Sequence, residues 1–158
     1  MIQRVQSLFL LGAALCFGFA CFVPIGTFSA VEMPYIYTSW MLKTDIVNGI
    51  AIQETFYVGL LQVILAGISF AAIFFFKNRP LQSKICTAAI VINFVLLGLM
   101  LFVYPDRIFP QRFPAQEIVV NFNVLGAFLS IAPLALLYLA NKFITKDEKK
   151  VRAADRLR

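Results

Sequence analysis

Four runs of residues, at 7–25, 56–76, 85–104 and 118–140, are apolar and contain no Asp, Glu, Lys or Arg. No other feature restricts the fold so strongly. A helix rises 1.5 Å per residue, so about 20 residues cross a hydrocarbon core of roughly 30 Å. Each run has about that length. Within a bilayer every backbone N–H and C=O must be paired inside the segment, which makes each run helical. The expected fold class is an all-α membrane protein, a four-transmembrane-helix bundle forming one membrane domain over residues 1–158.

Composition argues against a soluble alternative. The chain is 61% hydrophobic and 14% charged, with a mean hydropathy of +0.84. Ordinary soluble domains are roughly 45–50% apolar and about 25% charged. A soluble chain of 158 residues has too much surface for its volume to hide this excess. The first run also has features of a cleaved signal peptide, since Arg4 precedes it. A weak Thr27-Phe28-Ser29 is all that approaches a small-residue cleavage site, so a retained helix is expected.

The basic residues set the orientation. Arg4, then Lys77, Arg79 and Lys84, then seven Lys and Arg residues from Lys142 to Arg158 fall on one side; only Lys43, Arg107 and Arg112 fall on the other. Positive charge in short loops marks the cytoplasmic side. Both termini, the loop around Lys77 and the tail at 142–158 are therefore expected in the cytoplasm. The net charge of +6 follows from this topology and does not call for nucleic acid as a partner.

The loops differ in kind. Tyr104-Pro105-Asp106 is expected to end the third helix, and the prolines and aromatics of 105–117 point to a stiff loop resting on the outer interface. Pro133 is expected to kink the fourth helix. The outer loop at 26–55 contains the strand-like Tyr35-Ile36-Tyr37-Thr38-Ser39-Trp40-Met41. It also contains Asn48-Gly49 between short apolar stretches, a strong hairpin signal because a type I′ turn needs positive φ at both central residues. A small β-hairpin or sheet is expected in this first extracytoplasmic loop.

Chemistry-bearing groups are few. There is no histidine, which removes the commonest general base and metal ligand. Cys16, Cys21 and Cys86 lie in apolar segments without ligand spacing and read as small buried residues. No catalytic residue, metal site or cofactor site is visible. Gln62, Asn93 and Asn121 are the polar side chains expected to make interhelical contacts, each worth about 0.6 to 2 kcal/mol. Gly12, Cys16 and Ala20, Gly67 and Ala71, and Gly126 and Ser130 are spaced for close helix packing, within one chain or between two copies. Glu54 and Glu117 suit helix N-termini; gathered with Arg107 and Arg112 at the outer face, they are the sole basis for an enzymatic reading.

The tail pairs Glu148 with Arg152 and Asp147 with Lys150 at helical spacing. It is expected to continue as a basic amphipathic helix. Lys149, Lys150, Arg152, Arg156 and Arg158 are its candidate contacts with anionic lipid or with a cytoplasmic partner, ribosomal RNA included.

The opening Met1-Ile2-Gln3-Arg4-Val5-Gln6-Ser7, the loop Lys77-Asn78-Arg79-Pro80-Leu81-Gln82 and the closing Lys146-Asp147-Glu148-Lys149-Lys150-Val151-Arg152-Ala153-Ala154-Asp155-Arg156-Leu157-Arg158 together resemble a family. It is a four-span inner-membrane family of Bacteroidetes, catalogued as domain of unknown function 4293. The resemblance implies a bacterial inner-membrane location and supplies no activity. The function expected is that of a non-enzymatic accessory protein in the lipid bilayer, binding another membrane protein or a cytoplasmic partner. The alternative is a small transporter or lipid-handling protein with a polar cleft around Gln62, Asn93 and Asn121.

Overall fold

The computed structural model describes residues 2–30, 33–44, 51–112 and 119–156. Among them are four long helices and one antiparallel sheet. Helix α1 spans Ile2–Ala20 and α2 spans Phe56–Phe74, prolonged by a 3-10 turn at Phe75–Lys77. Helix α3 covers Arg79–Gly98 and continues as a π-helical stretch, Leu99–Ile108, into the short α4, Phe109–Arg112. Helix α5 runs unbroken from Val124 to Arg156. Among the described residues, three stretches are long and apolar enough to cross a membrane: Phe56–Lys77, Arg79–Gln111 and Val124–Val151. A shorter apolar stretch, Val5–Ala20, lies in α1.

Helices α1 and α3 each pack against both α2 and α5, and sequence neighbours run antiparallel. The α2–α3 turn is tight because Asn78 caps α3: its side chain accepts from the Leu81 N–H at 3.3 Å, and Pro80 occupies a first-turn position where no N–H is needed. Along α2 the buried positions Val58, Gln62, Leu65, Ser69 and Ala72 recur at helical spacing, and Cys86, Ala89, Asn93 and Leu96 do so on α3.

The sheet sits at the end opposite that turn. Its strands are β1 (Gly26–Ala30), β2 (Met33–Tyr37), β3 (Met41–Thr44), β4 (Ala51–Glu54) and β5 (Val119–Phe122), in the order β4-β3-β2-β1-β5. Strands β3 and β4 pair antiparallel with a bulge at Leu42/Lys43, as a hairpin requires; Asn48-Gly49 itself lies outside the described residues. Gly26 is needed where β1 meets β5, since a Cβ there would stand 2.7 Å from the Asn121 carbonyl oxygen.

The β2–β3 turn ties the sheet to two helix ends. Ser39 Oγ donates to the Ala20 carbonyl at 3.1 Å and Trp40 Nε1 to the Cys21 carbonyl at 3.0 Å. These carbonyls would otherwise be orphaned where α1 stops. The same turn accepts the Gly59 N–H of α2 on the Ser39 carbonyl at 2.8 Å. Below it, Phe28, Tyr37, Tyr104 and Phe109 form an aromatic cluster, with Phe28 and Tyr37 edge-on to Phe109 at 5.0 and 5.1 Å. That cluster anchors the sheet to the end of α3 and α4.

The following boundaries differ from the sequence reading. The fourth apolar run is not one helix from 118: Val119–Phe122 is strand β5, and α5 begins at Val124. Asn123 marks the change, its side chain accepting from the Leu125 N–H at 2.9 Å as a cap does. The third helix does not end at Pro105. Proline removes a donor and crowds the preceding turn, and the wider π register accommodates it: the Phe109 N–H bonds the Tyr104 carbonyl, five residues back. Helix α1 stops at Ala20, and residues 21–25 lead into the sheet. Pro133 lies within the continuous α5. Phe113, Pro114 and Ile118 fall outside the described residues.

Candidate functional site

Polar side chains gather at the α2–α3 turn, the end remote from the sheet. Gln6 of α1 donates its amide N–H to the Asp147 carboxylate of α5, and both side chains are buried. Arg79 reaches the Asp147 carbonyl oxygen from the start of α3 at 3.4 Å. Ser83 donates to Asn141 Oδ1 at 2.7 Å and lies 3.5 Å from the Thr145 hydroxyl, while Asn141 Nδ2 donates to Thr87 at 3.2 Å. Phe9 stacks on Phe143 at 5.7 Å just within this belt. Polar contacts thus hold α5 to α1 and α3 as far as Asp147.

Two grooves open onto the same end. One is lined by Lys77, Arg79, Pro80, Glu148 and Val151. The other runs along α5 and is lined by Tyr138, Asn141, Lys142, Thr145, Lys146 and Lys149. Its position follows from helical periodicity. Ala140, Ile144 and Asp147 face inward; Tyr138, Lys142 and Lys149 fall on the opposite face at i, i+4 and i+11.

Inside the helices a second polar group is enclosed. Gln62, Ser69 and Asn93 are at most 1% exposed, and none of their side-chain polar atoms has a hydrogen-bond partner among the described residues. Counting residues from the α2–α3 turn places Gln62 and Asn93 at matching depth on facing antiparallel helices. Burial has thus enclosed them without the hydrogen bond that their sequence positions suggested. Outside the helices, the Tyr37 hydroxyl is likewise buried and without a partner. Burial pushes its pKa well up, and the neighbouring Tyr104 adds to the shift.

The remaining candidate residues are distributed as follows. Asn121 is on β5, paired with Thr27 and exposed, so it makes no interhelical contact; the apolar run that placed it in a span was partly strand. Lys149 and Lys150 are exposed on α5. Arg152 and Arg156 lie on the same helix, and Arg158 is outside the described residues. Asp147 turns inward to Gln6, where the spacing had paired it with Lys150. Glu54 ends β4 and Arg107 is exposed in the π-helical stretch; Glu117 lies outside the described residues. No group of three or more metal-binding side chains occurs among the described residues, and Cys16, Cys21 and Cys86 are free thiols. Gly12 packs against Leu136 and Gly126 against Pro24 within the chain, while Gly67 faces open space.

The sequence reading missed Gln6, Ser83, Asn141 and Thr145 and did not single out Lys142 and Lys146. Their shared signal is depth: Gln6 and Ser83 stand within a turn or two of the start of their helices, and Asn141, Lys142, Thr145 and Lys146 fall where the apolar run of α5 gives way to its basic extension. No curated protein matches the sequence. A family model described as a domain of unknown function, DUF4293, matches residues 2–157. Nearly the whole chain is covered by that match, and the protein belongs to the DUF4293 family.

Proposed function

We propose that this chain is a four-span protein of a bacterial inner membrane, with both termini in the cytoplasm, acting by contact with a partner rather than by catalysis. The observation that carries the reading is the distribution of exposed apolar side chains. Leu15 and Phe19 on α1, Val63 and Phe70 on α2, Phe94 on α3, and Phe128 and Ile131 on α5 are all about half exposed or more. In water such a girdle would drive aggregation, whereas lipid chains solvate it. Polar groups lie in the sheet, inside the helices or at the α2–α3 end. The excess of Lys and Arg at that end supports a cytoplasmic assignment.

Helix α5 supports the contact role. Its 33 residues correspond to roughly 50 Å at 1.5 Å per residue, well beyond a core of about 30 Å. A basic helical extension therefore projects past the membrane. A mild-detergent pull-down of the tagged protein, beside a chain truncated after Lys150, tests this role. That truncation spares the inward-facing Ile144 and Asp147. A stoichiometric partner lost on truncation is the expected result. Recovery of no partner from either chain contradicts it.

A second reading, a polar path for a small solute or lipid headgroup, is favoured by the unpaired Gln62, Ser69 and Asn93. It predicts that Gln62→Leu with Asn93→Leu abolishes function while the protein remains folded. The contact reading predicts retained function.

A further inference from the structure

We infer that the groove on α5 bounded by Tyr138, Lys142, Lys146 and Lys149 binds the phosphate headgroup of an anionic phospholipid. The inference rests on the membrane reading above and adds to it a defined ligand and site.

Three observations converge on this face. First, the exposed stripe is continuous: Val124, Phe128, Ile131 and Tyr138 follow one another on one side of α5 and are all 49% exposed or more. They lead directly to Lys142 and Lys149. An acyl chain laid along the apolar part brings its headgroup to the lysines, with Tyr138 at the boundary where amphipathic rings are favoured.

Second, the lysines are directed toward that boundary. Side chains on a helix lean toward its N-terminus. Helix α5 enters from the sheet end, so Lys142, Lys146 and Lys149 lean back toward the bilayer. A phosphate among them meets three ammonium groups, and the groove also holds Asn141, whose amide has a second N–H to donate, and Thr145, whose hydroxyl proton already goes to the Asn141 carbonyl. The two are not free to rearrange, since Asn141 is bonded to Ser83 and Thr87, and Thr145 to the Asn141 carbonyl at 2.9 Å.

Third, the competing anions are directed elsewhere. The Asp147 carboxylate is buried against Gln6, and Glu148 lines the other groove, with Lys77 and Arg79. Among the described residues, the lysine groove has no acidic side chain in its lining. Its net positive charge and apolar lower wall match an anionic lipid better than a soluble phosphate, which has no use for the stripe below Tyr138.

The test is thermal unfolding of the purified full chain in mixed micelles. The probes are dioleoyl-phosphatidylglycerol, dioleoyl-phosphatidylcholine and inorganic phosphate. Three chains are compared: the natural one, a Lys142→Gln/Lys146→Gln/Lys149→Gln variant, and a Lys77→Gln/Lys84→Gln/Lys150→Gln control that loses equal charge off the groove. The expected result is that phosphatidylglycerol raises the Tm of the natural chain and the control by about 5 °C. The groove variant then shows little rise, and phosphatidylcholine and phosphate give none. Equal loss in the control would reduce the effect to diffuse attraction and overturn the inference. An equal rise with inorganic phosphate would replace the lipid by a soluble anion. A groove variant that still responds fully would also refute it. Native mass spectrometry gives a second readout: one phosphatidylglycerol retained by the natural chain and lost from the groove variant. Failure here would leave the contact role standing, because the pull-down truncation leaves Lys142, Lys146 and Lys149 in place.

Discussion

Among single residues, the unpaired polar groups give the sharpest expectations. A buried polar group without a partner costs about 1–3 kcal/mol, and Gln62 and Asn93 are both fully enclosed in that condition. Replacing both with Leu is expected to raise stability by about 2 kcal/mol, measured by unfolding in mixed micelles. A loss of similar size would show that water or another molecule satisfies them. Tyr37 has a second consequence. Its folded-state pKa is raised, so its contribution to stability is complete below the unfolded value of about 10 and falls as pH rises above it. The Tm of the natural chain should therefore decline above about pH 10, and Tyr37→Phe should flatten that decline. A variant with an unchanged alkaline slope would show that other groups cause it. Glycines at close approaches complete this scale. A Cβ at Gly59 would stand 2.7 Å from the Trp40 ring, so Gly59→Ala is expected to cost about 1–3 kcal/mol as overpacking. Gly67→Ala, which meets open space within α2, should raise stability by about 0.5–1 kcal/mol, since glycine is the poorer helix former.

The elements explain what the sequence could and could not reveal. Uncharged runs of membrane-spanning length gave away α2, α3 and much of α5, because about 20 consecutive apolar residues are too many for one ordinary strand and suit a helix. The start of α5 was hidden for a physical reason: Val119, Val120 and Phe122 are as apolar as the helix that follows. Hydropathy therefore merges strand and helix into one run. The usable signal was local, in the alternation of Val120, Asn121, Phe122 and Asn123 and in the capping capacity of Asn123. Pro105 misled in the opposite direction, since a π register let the helix pass it. The polar belt was obscured because Gln6 and Asp147 are separated by nearly the whole chain, and only the antiparallel packing of α1 on α5 joins them. Asp147→Ala is expected to leave the Gln6 amide unpaired and to loosen the end of α5. Faster amide hydrogen exchange beyond Ile144, with exchange at the sheet end unchanged, would be the readout. Uniform exchange across α5 would show that Asp147 does not pin this end.

At the scale of the whole molecule, the sheet closes one end of the helices and a basic helical extension leaves the other. The sheet draws four strands from the segment between α1 and α2 and a fifth from the segment before α5, so the two connections are locked together. The exposed apolar girdle lies between these ends. If lipid surrounds that girdle, Lys43 on β3 and Lys150 on α5 must face opposite compartments. The most direct measurement is single-cysteine labelling with a membrane-impermeant maleimide. Lys43→Cys and Lys150→Cys are introduced separately into a chain whose Cys16, Cys21 and Cys86 are replaced by Ala. The expected result is that Lys43→Cys is labelled in cells with only the inner membrane intact, and Lys150→Cys only after that membrane is opened. Labelling of both positions before opening, or the reverse order, would contradict a membrane-spanning chain with both termini in the cytoplasm.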